Sequence, residues 1–401
     1  MTNTIPIFRP VPRWVYVWSI VTVVVTFVLL ALGGLVTTFR VGMADPVWPT
    51  EPWYLFFIDW TEPSRGFLIE HTHRLAGFSV GGLVSLLALF ICWSDPRKGG
   101  RYFSAFLMIG LIGLFGMFHG QMMKQVKAEV IQWPMPTIYA LAGSAGILLL
   151  FSLGSWLSGV RYGGLRFLSL LALIGVMIQG LLGGLRVRLN DLFGTDLAAV
   201  HGVFGQIVFA MLIGIAMLTA RRSGSEVDSG ERRRLFSWSL HVVAFVVLQL
   251  IWGAWIRHRP EPLAQRLHFL TAFLVLAFSV VFFLSARNSL SWRRLRFGSI
   301  LLLVFLACQL TLGVEAWLGK FGTGMEEEKI TLGKAIIRTL HVLVGTGILA
   351  TSTALAFLLG IRKPDATVAM GMDARSERRE GTLESPPQNN FETPQRVGDP
   401  R

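Results

Sequence analysis

Long apolar runs alternate with short polar segments along nearly the whole chain. Each run is close to the roughly 20 residues that an α-helix needs to cross a bilayer, and charges inside the runs are rare. The pattern predicts an all-α, polytopic membrane protein with about ten transmembrane helices. The predicted spans are 15–37, 66–92, 102–123, 137–158, 166–187, 196–219, 237–257, 266–286, 297–319 and 334–360.

The composition agrees with a membrane protein. Of the 401 residues, 53% are hydrophobic and 15% are charged, and the mean hydropathy is +0.56. The net charge of +13 does not indicate a nucleic-acid partner, because the basic residues cluster in alternate short loops, which is a topology signal. We therefore expect membrane lipid, and no nucleic acid, around the chain.

The loops predict an orientation. By the positive-inside rule both termini are cytoplasmic, and the expected location is the cell inner (cytoplasmic) membrane. Residues 1–14 form a cytoplasmic N-terminus, and the polar residues 361–401 form a disordered cytoplasmic tail. The basic loops are 93–101, 159–165, 220–236 and 287–296, and the acidic or mixed ones are 38–65 and 320–333.

Four histidines lie at matched depth in this topology. His73, His201, His268 and His341 each stand a few residues into a span that enters from the outer side. At a rise of 1.5 Å per residue, all four fall within about 10 Å of the outer edge of the hydrocarbon. Ionisable side chains at that depth are costly and mark function by default.

The local sequences indicate an internal duplication. "HRLAGF" at 73–78 matches "HFLTAF" at 268–273, and "VHGVFG" resembles "LHVLVG". The preceding spans also echo one another in "QGLLGGLRV", "QLIWGAWIRH" and "QLTLGVEAW". We predict two pseudo-twofold-related four-helix bundles, with a pair of helices inserted into the first. The first bundle comprises 15–92 and 165–220, the inserted segment is 93–164, and the second bundle is 237–360.

Two imidazoles on facing helices of a four-helix bundle can coordinate one haem iron axially. A zinc or copper site would need a third ligand, which neither unit offers. The structural alternative is that each histidine makes a hydrogen bond between helices. His71 lies about 200° around the helix from His73, so the two cannot both face a bundle centre; the repeat match favours His73.

Glu70 breaks the symmetry between the two units. It stands three residues before His73, whereas Gln265 stands three before His268. Glu70 either forms a structural pair with Arg74, four residues on, or acts on a substrate by stabilising positive charge or moving a proton. We interpret the first bundle as the reacting site and the second as an electron-handling haem site.

These segments together resemble the haem A synthase (heme A synthase) family. The resemblance covers 15–92 and 165–360 and depends on the Glu-x-x-His-Arg element in "EHTHRLAG" with three further spaced histidines. The segment "GGLVTTFRVGMADPVWPT" also looks like the family's first outer loop. Two features depart from the family: 38–65 lacks the cysteine pair that some members carry, and 93–164 adds two helices.

The resemblance implies an oxidoreductase that converts haem O (heme O) to haem A by oxidising a ring methyl to a formyl group, for cytochrome oxidase biogenesis. His268 and His341 would hold the iron of a haem b (heme b) cofactor. His73 and His201 would hold the substrate haem, with Glu70 as the catalytic acid beside it. The expected partners are haem O, haem O synthase and an unidentified electron acceptor, and a homo-oligomer stays open.

Several arginines are candidate partners of haem propionates. Arg74, Arg186, Arg188 and Arg257 lie near the outer ends of spans, where charge-assisted pairing with carboxylates is favourable. Ordinary snorkelling to the interface is the alternative for them. Two other functions account for the four histidines: a two-haem b-type cytochrome that only transfers electrons, and a non-enzymatic haem carrier.

Overall fold

The computed structural model describes residues 11–45, 56–57, 64–125, 132–188, 195–220, 229–259, 261–321 and 330–360, and these contain ten α-helices and no strand. Residues 1–10 and 361–401, most of the predicted N-terminal segment and the whole predicted tail, lie outside them. The helices are α1 Arg13–Thr38, α2 Arg65–Trp93, α3 Lys98–Met123, α4 Met135–Leu157, α5 Gly163–Arg188, α6 Asp196–Thr219, α7 Ser229–His258, α8 Pro262–Arg287, α9 Trp292–Phe321 and α10 Leu332–Gly360.

All ten helices are long and apolar enough to cross a membrane. They have 23 to 30 residues each, so at 1.5 Å per residue every one exceeds the roughly 30 Å thickness of a hydrocarbon core. Many of their large apolar side chains are exposed, among them Val24, Phe106 and Phe297. The predicted class, an all-α multi-pass membrane protein, is confirmed.

Several helices begin earlier than the apolar pattern predicts. The largest difference is at α7, which begins at Ser229 where the pattern predicts 237, so that Glu231 and "RRR" at 232–234 are helical. Hydropathy marks the part of a helix that lies in hydrocarbon, whereas backbone hydrogen bonding continues into charged residues with good helix propensity. Part of the segment predicted as a loop at 220–236 is therefore the first two turns of α7.

The helices form two rings of four. In the first ring, α1 packs on α2, α2 on α5, α5 on α6 and α6 on α1. In the second, α7 packs on α8, α8 on α9, α9 on α10 and α10 on α7. The same neighbours recur when α1, α2, α5 and α6 are matched to α7, α8, α9 and α10.

The contacts between the rings obey the same pseudo-twofold relation. α6 packs on α10, and the relation maps this contact onto itself. It maps the contact of α1 with α10 onto that of α7 with α6, and both contacts are present. Polar groups join the rings inside this interface: Gln206 Nε2 donates to Thr346 Oγ1 at 3.0 Å, and Arg257 Nη2 donates to the carbonyl of Gly34 at 3.0 Å. The two rings therefore share one packed interior.

The inserted pair, α3 and α4, packs outside the first ring against α2 and α5. Asp95, fully buried between α2 and α3, fastens it there. Asp95 accepts hydrogen bonds from the backbone N–H of Arg97 at 2.9 Å and from its guanidinium at 3.0 Å, and Arg166 Nη2 of α5 lies 3.5 Å away. Arg97 also donates to Ser155 of α4 at 2.7 Å. One carboxylate thus links the ends of four helices.

Asp95→Ala is expected to lower the free energy of unfolding by about 3 kcal/mol, because it leaves Arg166 buried beside no carboxylate. Burial alone would raise the pKa of Asp95, but the hydrogen bonds from Arg97, together with the positive charges of Arg166 and Arg97, hold the pKa below its usual 3.8. The stabilisation is therefore present above about pH 4 and lost only as pH falls through the lower folded value.

Thermal unfolding in detergent at pH 5, 7 and 8 measures the stability that Asp95→Ala loses, and this loss should be the same at each pH. Asp196→Ala, which breaks the exposed pair with Arg259, is the control and should change stability by less than about 1 kcal/mol. Equal losses in the two variants would contradict the account.

Candidate functional site

Each of the four predicted histidines faces a glycine on the helix that precedes it. A Cβ built on the glycine would lie within 3.0 to 3.2 Å of the imidazole Cε1, tighter than ordinary van der Waals contact. The imidazole ring therefore occupies the space that the side chain of any residue larger than glycine would need at that position. The same arrangement occurs four times. The pairs are Gly33 with His73, Gly183 with His201, Gly253 with His268, and Gly313 with His341.

A glutamine stands four residues before the glycine in three of these helices, one turn deeper on the same face. Gln249 Nε2 lies 3.1 Å from His268 Nε2, and Gln309 Nε2 lies 3.3 Å from His341 Nε2. In α5, Gln179 Nε2 instead donates to the backbone carbonyl of His201 at 2.8 Å. The Gln-x-x-x-Gly pattern is visible in the sequence as a repeat, but its purpose, to seat and orient an imidazole on the next helix, is visible only in the fold.

The geometry of the second pair fits a shared metal ion. The ring centroids of His268 and His341 lie 6.4 Å apart with 62° between the ring planes. An ion bonded to one nitrogen of each ring at about 2 Å, with that nitrogen about 1 Å from its ring centre, would set the centroids about 6 Å apart.

The Nδ1 atoms of all four histidines are buried and make no well-formed hydrogen bond with a described residue, although the backbone of the preceding helix lies near each ring, at Leu29, Gln179, Gln249 and Gln309 respectively. Buried polar atoms without a partner are rare in native proteins and call for an explanation. No three side chains of His, Cys, Asp or Glu converge as a metal-ion site within the described residues. Each pair thus offers two nitrogens, and a porphyrin brings the remaining four ligands of its iron with it.

One continuous cavity of about 2070 Å³ connects the two pairs, and all four histidines line it. Pockets for a single drug-sized ligand measure about 300–1,000 Å³, so this cavity has room for two large ligands. Its walls come from both rings and from α3 of the inserted pair. The histidine rings are half-buried because one edge of each faces this space.

Glu70 lines the same cavity and belongs to a buried polar network. Its Oε1 accepts a hydrogen bond from Arg74 Nη2 at 2.9 Å, and its Oε2 accepts one from the backbone N–H of Asp45 at 2.7 Å. Arg74 also donates to the carbonyl of Asp45 at 2.6 Å, and the Asp45 carboxylate lies 3.0 Å from His71 Nδ1. The pair between Glu70 and Arg74 therefore exists, and it holds a carboxylate at the cavity wall one helical turn from His73.

His71 and His73 separate as the helical geometry requires. His73 lines the cavity, whereas His71 is fully buried against Asp45 and stacks on Phe67 with ring centroids 5.2 Å apart. His119 of α3 also lines the cavity, and the centroid of its ring lies 6.0 Å from that of Phe78.

Cationic side chains line one end of the cavity. Of the predicted propionate partners, Arg74, Arg186 and Arg257 do so, while the side chain of Arg188 lies outside the described residues. The guanidinium of Arg186 rests where a Cβ of Gly42 would be, so any larger residue at position 42 would displace it. Three further cations also line the cavity, Arg40, Lys320 and Arg338. Their spacing in the sequence gives no sign that they converge.

The fold and this geometry define a multi-pass helical membrane protein with a histidine-lined cavity shared by two pseudosymmetric bundles. No family model matches the chain, and no curated protein and no solved structure matches it either.

Proposed function

We propose that this protein is a membrane oxidoreductase of the haem A synthase type, which converts haem O to haem A. The observation that carries the proposal is the repeated pairing of histidines on one cavity, with a carboxylate beside one pair only. Two equivalent sites explain the fourfold glycine–histidine contact, and Glu70 explains why the two sites would differ in chemistry.

His268 and His341 would hold haem b. The centroid spacing of 6.4 Å supports this assignment, and Gln249 and Gln309 would orient the rings. When bound, haem b supplies a one-electron carrier that passes electrons from the substrate to an external acceptor. The protein's part is to fix two neutral imidazoles on rigid helices.

His73 and His201 would hold the substrate haem O through its iron. Glu70 would then place its negative charge against the substituent that loses electrons and would stabilise the positive charge that develops there. Arg74 and the N–H of Asp45 hold both carboxylate oxygens in place, so little reorganisation is needed when charge appears. In α8 the matching position is Gln265, which carries no charge.

The overall conversion balances with water as the source of oxygen. A ring methyl and one water molecule give a formyl group, four protons and four electrons. A haem b held at the second site would carry the four electrons to the unidentified acceptor, and the protons would leave to solvent. Glu70 is a proton acceptor within the cavity for this release.

Charge supports the binding mode and the orientation. The cations that line the cavity at the ends of α1, α5, α7 and α9 would pair with the propionate groups of both haems. The orientation comes from the loops between the helices. By the positive-inside rule the basic loops and both termini are cytoplasmic in a cell inner membrane, so this end of the cavity faces outward. The expected partners remain haem O synthase, which supplies the substrate, and the electron acceptor.

Haem extraction after co-expression with a haem O source tests the function. We expect haem A to accumulate with the wild-type chain and to be absent with His73→Met, as measured by chromatography of extracted haems. Haem B alone in both sites, with no haem A, would contradict the proposal and favour a two-haem b-type cytochrome. That alternative draws its support from the near equivalence of the two histidine pairs but leaves Glu70 unexplained.

A further inference from the structure

The cavity is asymmetric in depth. On six helices the cavity lining ends seven residues deeper than the histidine, or than the glycine that faces a histidine. The last lining residues are Thr26 of α1, Val208 of α6, Val246 of α7, Val275 of α8, Leu306 of α9 and Ile348 of α10. On α5 the lining continues ten residues beyond Gly183, to Leu173, and on α2 it continues sixteen residues beyond His73, to Leu89. At 1.5 Å per residue the arm along α2 is about 24 Å long, against about 15 Å on α5 and about 10 Å on the other six helices.

This arm is a groove between α2 and the inserted helix α3. Its walls are mostly apolar or small, with His119 of α3 beside Phe78. At the equivalent edge of the second ring, between α8 and α9, none of the described helices packs as α3 does. We name it the α2–α3 groove and define it by Phe78, Gly81, Leu86 and Leu89 of α2 with Phe115 and Gly116 of α3.

The groove is open space that reaches the membrane-facing surface. A Cβ built on Gly81 or Gly116 would meet no atom within 4 Å. Phe78 and Leu86 line the cavity although they are 43% and 42% exposed. A chain-like ligand can therefore lie in the groove with one end in the first bundle and the other toward lipid.

We propose that the α2–α3 groove binds the long aliphatic tail of the substrate tetrapyrrole and gives the first site its preference for a tailed haem. This inference rests on the proposed function and assigns a role to the inserted helices. The groove continues directly from the pocket of His73, and it occurs in the unit that carries Glu70. A membrane lipid filling the groove by chance would have no reason to follow that asymmetry.

The test uses full-length protein in detergent in a His268→Ala background, which leaves the first histidine pair to report binding. The probes are haem O, which carries the tail, and haem B, which lacks it, titrated by absorbance. The parent should bind haem O more tightly. Gly116→Leu should weaken haem O about tenfold, the scale of an overpacked apolar site, and leave haem B unchanged. Gly81→Leu, on the opposite wall, should do the same.

Gly110→Leu is the matched control, because Gly110 also lies in α3 with nothing within 4 Å but does not line the cavity. It should alter neither affinity. If Gly116→Leu and Gly81→Leu leave haem O affinity unchanged, or weaken both haems equally, the groove is not the tail site while the proposed function stands. Loss of co-purified phospholipid with unchanged haem O affinity would assign the groove to lipid and overturn the inference. A parent that binds neither haem would instead contradict the proposed function itself.

Discussion

Glu70→Gln is expected to abolish haem A formation while the chain still binds haem O. The substitution keeps the size of the side chain and an oxygen that can accept a hydrogen bond, but it removes the charge that faces the substrate. Groups that stabilise charge or transfer a proton in a transition state contribute roughly 10²-fold or more, so the haem A yield should fall by at least that factor. The haem O content of the purified protein should stay near the wild-type value, because His73 and His201 are untouched.

Gln265→Ala is the control for this experiment. Gln265 occupies the equivalent position in α8 and lines the same cavity, yet it has no part in the proposed chemistry. Haem A should form normally in this variant. A Glu70→Gln protein with both full haem content and full turnover would show that Glu70 only pairs with Arg74, and the assignment of the first bundle as the reacting site would fail.

Gly313→Val is expected to empty the second site. A Cβ at Gly313 would lie 3.2 Å from Cε1 of His341, and the two methyl groups of valine would overlap the ring and turn it away from His268. Overpacking of this kind costs about 1–3 kcal/mol, which corresponds to roughly 5- to 150-fold weaker binding. Haem B content of protein purified without a haem O source should fall accordingly, as measured by the pyridine haemochrome absorbance.

Gly319→Val separates this effect from the cost of a β-branched residue in α9. A Cβ at Gly319 meets no atom within 4 Å, so this variant should retain its haem. Equal haem content in Gly313→Val and wild type would contradict the idea that the glycines exist to seat the imidazoles.

The sequence predicts the architecture well because lipid imposes a simple rule. Ten runs of apolar residues become ten helices, and the repeated motifs predict which helices are equivalent. Helix ends are less well predicted, as at Ser229 in α7, because polar residues continue a helix beyond the hydrocarbon. The location of the inserted pair outside the first ring follows from packing and from Asp95, which no periodicity reveals.

The site was only partly predictable for a related reason. The position of a residue within a predicted span gives its depth in the membrane, so the sequence alone predicts that the four histidines lie at a similar depth. Contacts between helices are not readable in that way: the network of Asp45 with Glu70, the glycine opposite each imidazole, and the convergence of Arg40, Lys320 and Arg338 depend on how the helices face one another. His119 is the clearest case, since α3 brings it to the cavity although it has no repeat partner.

The central claim is that four histidines form two separate tetrapyrrole sites. Haem content per chain, measured on protein co-expressed with a haem O source for the wild type and four single His→Ala variants, tests it most directly. The account predicts two haems per wild-type chain. It further predicts that His268→Ala and His341→Ala lose the same haem, haem B, while His73→Ala and His201→Ala lose only the tailed haem. Unchanged haem content in all four variants, or the loss of both haems from each, would contradict the two-site account.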